Sequence, residues 1–322
     1  MLRRNKIMCV IIVVVLCALA TLALCSCVSD RFSYQDSELH AILYRSGEAT
    51  ILYFERNPDV GYFEAQDVVV PSEIIDNGDI YQVTTLGEQY SSRYGIVEDG
   101  YAKRLIIPAT VTTINLQYFN RSDAFDCLEE IVVDEENPNY TTIDGVLYNK
   151  DCSTLLMYPP AKKETTMVIP TDLVQIEHAQ YNYCNKFITD IEVEEGNEYF
   201  SVIDNALYSA DAKTLVFVPA GHSENLALPD EISTIDYCAL RYSNIVNLYV
   251  PKHIWKDEEN DYQLIMDIVY DSRNNLSDYH PFRYVANIYF YDEELPKFLE
   301  DINLPYTEFH FGVTREMFDI LA

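Results

Sequence analysis

The sequence predicts a β-rich repeat solenoid with inserted β-hairpins and a mixed α/β segment closing its C-terminal end. Two observations lead there. Apolar segments return with a period near 60 residues: Ile106-Ile107-Pro108 reappears as Val168-Ile169-Pro170 and as Ala227-Leu228-Pro229, at spacings of 62 and 59. Within each repeat the apolar residues form short runs of β-branched residues and Leu, which suit a half-buried pleated surface. Many positions held at one period describe units that stack and bury each other's apolar faces, so no unit is expected to be stable alone.

The elements follow in order. Val111-Thr112-Thr113-Ile114, Leu173-Val174-Gln175-Ile176 and Ile232-Ser233-Thr234-Ile235 share one apolar pattern, with an earlier copy at Val83-Thr84-Thr85-Leu86. Leu128 to Val133 is echoed by Ile188 to Val193 and by Ile245 to Val250. Asn137 to Tyr148 returns as Asn197 to Tyr208, and Leu155 to Pro159 as Leu215 to Pro219. Asn149-Lys150-Asp151 and Ser209-Ala210-Asp211 separate apolar runs and are expected to be hairpin turns. Pro108, Pro170 and Pro229 fall at strand ends, where a missing N–H costs least. From Lys252 the period is lost: apolar residues of 254–270, 295–302 and 314–321 are spaced as in helices, and Ile288-Tyr289-Phe290-Tyr291 as in a strand.

Composition excludes several classes. The chain of 322 residues is 48% hydrophobic, with 26 Tyr and 14 Phe, enough apolar surface for a packed core. Its 52 acidic against 22 basic residues give a net charge of −30, which argues against a nucleic-acid partner. Arg3, Arg4 and Lys6 precede an uncharged apolar stretch from Ile7 to Leu24, the pattern of an export signal that leaves the body outside. Leu24-Cys25-Ser26-Cys27 resembles a bacterial lipobox, which implies lipid attachment at Cys27 and a membrane anchor through its acyl chains. A plain signal-anchor helix is the alternative. The expected organisation is a signal peptide over 1–26, a tether over 27–32, an N-terminal capping unit over 33–100, the solenoid over 101–251 and a C-terminal cap or accessory module over 252–322.

Two motifs resemble the BspA-type leucine-rich repeats of bacterial surface proteins. One is Ile107-Pro108 to Ile114, followed by Ala124-Phe125-Asp126-Cys127-Leu128 to Ile131. The other is the inserted hairpin motif Asn137 to Tyr148. The likeness covers residues 66–251, and departs from the pattern at 115–121, 177–183 and 236–241. It implies a surface-facing protein that binds an extracellular protein or surface glycan, in adhesion to host or neighbouring cells. The alternative is a non-catalytic scaffold or accessory subunit of an envelope or glycan-processing complex.

No catalytic constellation emerges. His40, His178, His222, His253, His280 and His310 are scattered without metal-ligand spacing, and no nucleophile elbow or phosphate-binding glycine loop is present, so neither an enzyme nor a cofactor is expected. Cys127, Cys184 and Cys238 recur near the unit length and are expected to be small interior thiols; Cys152 has Ala212 as its counterpart. Acidic clusters also recur. Asp134, Glu135 and Glu136 match the strand-end positions of Glu192, Glu194 and Glu195, so stacking aligns them in a negative strip flanked by Tyr148 and Tyr208. Such a strip is a solvated edge, a steering surface for a basic partner, or a weak Ca²⁺ site. The tyrosines are either packing or hydroxyl-bearing recognition groups. Further clusters lie at Asp257 to Glu259 and Asp292 to Glu294.

Overall fold

A computed structural model describes residues 31–36, 39–55, 66–88, 102–116, 127–177, 187–236, 239–240, 243–251, 285–291 and 308–321. The signal segment, Cys27, Cys184, Cys238, the helices expected over 254–270 and 295–302, and the acidic clusters after Lys256 and Tyr291 lie outside these residues.

The N-terminal unit is built from β1 (Arg31–Gln35), β2 (Leu39–Tyr44), β3 (Glu48–Phe54), β4 (Gln66–Val69), β5 (Glu73–Asp76), β6 (Asp79–Leu86), β7 (Ala102–Ile107) and β8 (Thr113–Ile114). Strands β1-β2-β3-β6-β5 form one sheet, joined by β8 against β6. Strand β1 begins inside the segment expected to be a tether. The first hairpin module contains β9 (Glu130–Val133), β10 (Tyr140–Ile143), β11 (Val146–Asn149), β12 (Thr154–Met157), β13 (Thr166–Ile169) and β14 (Gln175–Ile176). Its twin contains β15 (Asp190–Val193), β16 (Phe200–Ile203), β17 (Ala206–Ser209), β18 (Thr214–Phe217), β19 (Asn225–Ala227) and β20 (Thr234–Ile235). Then follow β21 (Asn247–Val250), β22 (Asn287–Phe290), β23 (Glu308–His310) and helix α1 (Arg315–Leu321).

Parallel strands carry the solenoid in three stretches: β4-β7-β9, β13-β15 and β19-β21-β22-β23. Strands β9, β13 and β22 alternate a buried with a more exposed side chain, as a pleated strand with one covered face must, whereas β21 is buried at Leu248, Tyr249 and Val250. Leu105, Ile131, Met167, Ile169, Leu226, Leu248 and Ile288 point inward. Burying a side chain of this size contributes about 1.5–3 kcal/mol, which repetition along the ladder multiplies.

The hairpins interrupt this ladder. Sheets β10-β11-β12-β14 and β16-β17-β18-β20 sit between its stretches. Asp144 and Gly145 (φ 48° and 77°) turn the first hairpin, and Asp204 and Asn205 (φ 49° and 59°) the second. Both central residues are left-handed, the geometry that matches strand twist and favours Asp, Asn and Gly. The turns expected at Asn149 to Asp151 and Ser209 to Asp211 close the other ends, between β11 and β12 and between β17 and β18.

Each hairpin is a wall shared by two cores. Leu147 and Met157 pack into the N-terminal cluster, whereas Val146, Tyr148 and Leu155 pack into the middle one. In the twin, Leu207, Val216 and Phe217 join the middle cluster, and Ala206, Tyr208, Leu215 and Val218 the C-terminal one. Residues buried on both faces of one strand couple neighbouring units. The mutual dependence expected of stacked repeats follows from this sharing.

Three sequence expectations are corrected. The ladder does not stop at Pro251: β22 and β23 continue it in parallel register, Asn247 to Asn287 to Glu308, within the segment expected to be a cap. The tyrosines Tyr148 and Tyr208 are 3% and 0% exposed, so they belong to the core and not to a surface strip. Cys127 is exposed and free, because the adjoining Leu128 takes the interior position.

Candidate binding face

Opposite the core, outward side chains form two rows. In the first, Asp67, Arg104 and Glu130 stand in register, then Thr166 with Asp190, then Asn225, Asn247, Asn287 and Glu308. Arg104 donates through Nε to Asp67 Oδ1 at 3.0 Å and through a second guanidinium nitrogen to Asp67 Oδ2. This fork holds the Asp67 carboxyl below its usual range and raises Arg104. Asn247 donates to Asn225 Oδ1 at 2.6 Å and Asn287 to Asn247 Oδ1 at 2.8 Å, while His310 Nε2 lies 2.9 Å from Asn287 Oδ1.

In the second row Val69, Ile106 and Val132 are followed by Val168 with Glu192, then Ala227, Tyr249, Tyr289 and His310. Its N-terminal half is aliphatic and open, with Val69 60% and Val168 45% exposed. Its C-terminal half is covered: Val313 and Phe318 at α1 pack on Tyr249, Tyr289 and Ala227.

Where the first hairpin parts β9 from β13, a cleft of about 720 Å³ opens. Glu129, Glu130, Asp144, Glu164 and Glu194 supply carboxylates to its lining, against the two ammonium groups of Lys162 and Lys163; Val146, Tyr148, Tyr158 and Val168 supply apolar surface. Lys162 is only 8% exposed, and its Nζ donates to Asp144 O at 2.7 Å and pairs with Glu164 at 2.9 Å. That hydrogen bond holds the Glu164 carboxyl below its usual range. Lys163 sits 4.4 Å over the Phe187 ring and 3.8 Å from Glu129. Burial pushes the Tyr158 phenol up to about 12, and raises Tyr148 as well.

The twin module is built differently at the matching positions. Asn205 replaces Gly145, and its side chain donates to Thr189 O at 2.8 Å and accepts from Ile191 N at 3.1 Å. In the first module the equivalent contact is Ile131 N to the Gly145 carbonyl at 2.9 Å. His222 stands where Lys162 does, buried, and among the described residues neither its Nε2 nor the Tyr208 hydroxyl has a hydrogen-bond partner.

The acidic residues foreseen from sequence are all exposed, Glu192 within β15 and the others on the turns after β9 and β15. Asp134 Oδ1 accepts from Glu136 N at 2.9 Å, and Lys150 Nζ donates to Glu135 O at 3.0 Å. Glu194 accepts from Thr171 N and Oγ1 at 2.9 and 3.1 Å, and it alone of these acidic residues reaches the cleft. Glu192 stands beside Val168 in register. Among the described residues no group of three or more His, Cys, Asp or Glu side chains is placed to hold a metal. Among them, too, no helix is long and apolar enough to cross a membrane. Glu130, Asp144, Lys162 and Val168 were not foreseen; comparing the twin modules position by position, Gly145 with Asn205 and Lys162 with His222, is the signal that marks them.

The parallel ladder with inwardly alternating aliphatics and twin hairpins defines a β-rich repeat protein. No protein-family model and no curated protein matches the chain. Similar solved structures include the pneumococcal vaccine antigen PcpA (13% identity, TM-score 0.36, 68% of this chain and 64% of that one). Two others are a leucine-rich repeat protein from Eubacterium ventriosum (15%, 0.35, 69% and 66%) and a leucine-rich cell surface protein from Faecalibacterium prausnitzii (17%, 0.29, 68% and 70%). The alignments to the first two span slightly under two thirds of those chains.

Proposed function

We propose that this chain is an exported, lipid-anchored repeat protein that binds protein ligands outside the cell, in adhesion to host or neighbouring cells, without catalysis of its own. The observation that carries the reading is the outward aliphatic row Val69, Ile106, Val132 and Val168, exposed at Val69 and Val168, half-buried between them, and bordered by carboxylates at Val168. An apolar row rimmed by charge suits a protein partner, and the −30 net charge selects a basic one through steering. The anchor rests on Cys27 and the basic and apolar residues before it.

Protease treatment of intact cells, with palmitate labelling of wild type and Cys27→Ser, tests the reading. The expected result is a body shaved from the surface and a label lost in the variant. A body protected from protease favours the envelope-scaffold alternative instead, and an unlabelled wild type favours a signal-anchor helix.

A further inference from the structure

We propose that the cleft between β9 and β13 receives an extended, basic peptide segment of the partner, which lies along the outer edge of β13 as an added strand. The inference rests on the protein-binding reading above and locates it. Among the described residues strand β13 pairs only with β15. Thr165 O accepts from Thr189 N and Asp190 N, and Ile169 O accepts from Glu194 N, so the backbone groups of Thr165, Met167 and Ile169 face β15. By strand alternation those of Thr166 and Val168 face the other way, and both residues line the cleft. An open strand edge is a template for a further strand. On the opposite wall the β9 edge is already engaged, since Ile131 N donates to Gly145 O, so an incoming segment pairs on the β13 side.

Charge selects the occupant. Five carboxylates line the cleft against two lysines. Both lysines are committed, Lys162 to Asp144 O and Glu164, Lys163 to Glu129 and the Phe187 ring. The Glu130 and Asp144 carboxylates have no ion pair among the described residues. An arginine or lysine side chain beside them gains attraction that an acidic segment lacks, and a second copy of this chain, at −30, is repelled. Val168 and Ile143, both exposed in the cleft lining, offer apolar contact to the alternate side chains of such a segment. In the second module the Asn205 side chain bonds Thr189 O and Ile191 N, where the first module bonds Ile131 N through the Gly145 carbonyl.

The test uses the full chain in non-ionic detergent and fluorescein-labelled hexapeptides that alternate valine with arginine or valine with glutamate, read by fluorescence anisotropy. The arginine peptide should bind at least about tenfold tighter than the glutamate one, and more weakly as salt rises. Glu130→Gln with Asp144→Asn should weaken it by about tenfold with unchanged thermal unfolding, since Asn tolerates the left-handed turn position. Asp204→Asn, the twin position, should leave affinity unchanged. N-methylation of alternate peptide bonds should weaken binding, whereas side-chain attraction alone predicts no change. Equal binding of the glutamate peptide, or indifference to Glu130→Gln/Asp144→Asn or to N-methylation, overturns the proposal. So does a dimer of the chain that those substitutions dissolve, which assigns the cleft to a second copy. Surface shaving is unaffected by any of these outcomes, so the two readings fail separately.

Discussion

Replacing Asn137 by alanine probes how the hairpin module is tied to the ladder. Asn137 is fully buried, and its amide uses its whole hydrogen-bonding capacity on backbone. It donates to Pro108 O at 2.9 Å and Val111 O at 2.8 Å, and accepts from Asn139 N at 3.0 Å and Tyr140 N at 2.9 Å. One side chain thus joins the turn after β7 to the start of β10. At about 1 kcal/mol net per bond, four lost bonds cost about 4 kcal/mol; water reaching the part-buried partners reduces this to about 3. Asn197 makes the same four contacts to Pro170 O, Leu173 O, Tyr199 N and Phe200 N, but is half-buried, so its alanine variant should lose about 2 kcal/mol. Urea unfolding followed by circular dichroism reads the loss as a lower midpoint with an unchanged slope. Exposed Glu136→Gln serves as control, with a change within about 0.5 kcal/mol. An Asn137→Ala midpoint indistinguishable from the control refutes the tie.

The remaining predictions probe backbone, packing and titration. Ala212 holds φ 58° in the turn before β18, so Ala212→Gly should stabilise the chain by about 0.5–1 kcal/mol in the same urea assay. Gly221→Ala should cost at least about 2 kcal/mol, because a Cβ there meets Thr189 O at 2.5 Å and Thr189 Cα at 2.6 Å, backbone atoms that cannot swing aside. The buried Tyr158 phenol gives a sign for alkaline pH. Its folded value near 12 exceeds the ordinary 10, so the native state keeps a proton that the unfolded chain releases. The resulting stability is complete below pH 10 and is lost as pH rises toward 12; Tyr158→Phe should weaken this alkaline loss in the same urea assay.

The repeat fold was legible because its signals are local. Strand runs, the prolines after them and the recurring Asn-x-x-Tyr/Phe of the hairpins each reflect a backbone demand that a residue type meets by itself. Continuation of the ladder into β22 and β23 was not, since Asn247, Asn287 and Glu308 are successive rungs 40 and 21 residues apart and keep no common period. Tyr148 and Tyr208 were read against a pattern of one covered face, whereas β11 and β17 are covered on both. The acidic strand ends were legible as exposed positions. The cleft was not, because it arises from the gap that a hairpin forces between two strands, β9 and β13, whose lining residues are far apart in sequence.

Disulfide trapping across the ladder tests the central claim most directly. With native cysteines replaced by serine, Thr166→Cys and Asp190→Cys stand in register on neighbouring parallel strands, facing outward. The account predicts that this pair oxidises readily, whereas Thr166→Cys with Glu192→Cys, two residues further along β15, stays reduced because its Cα separation exceeds the roughly 7 Å that a disulfide spans. Equal trapping of both pairs, or trapping of the second alone, contradicts the strand register on which the outward rows and the cleft depend.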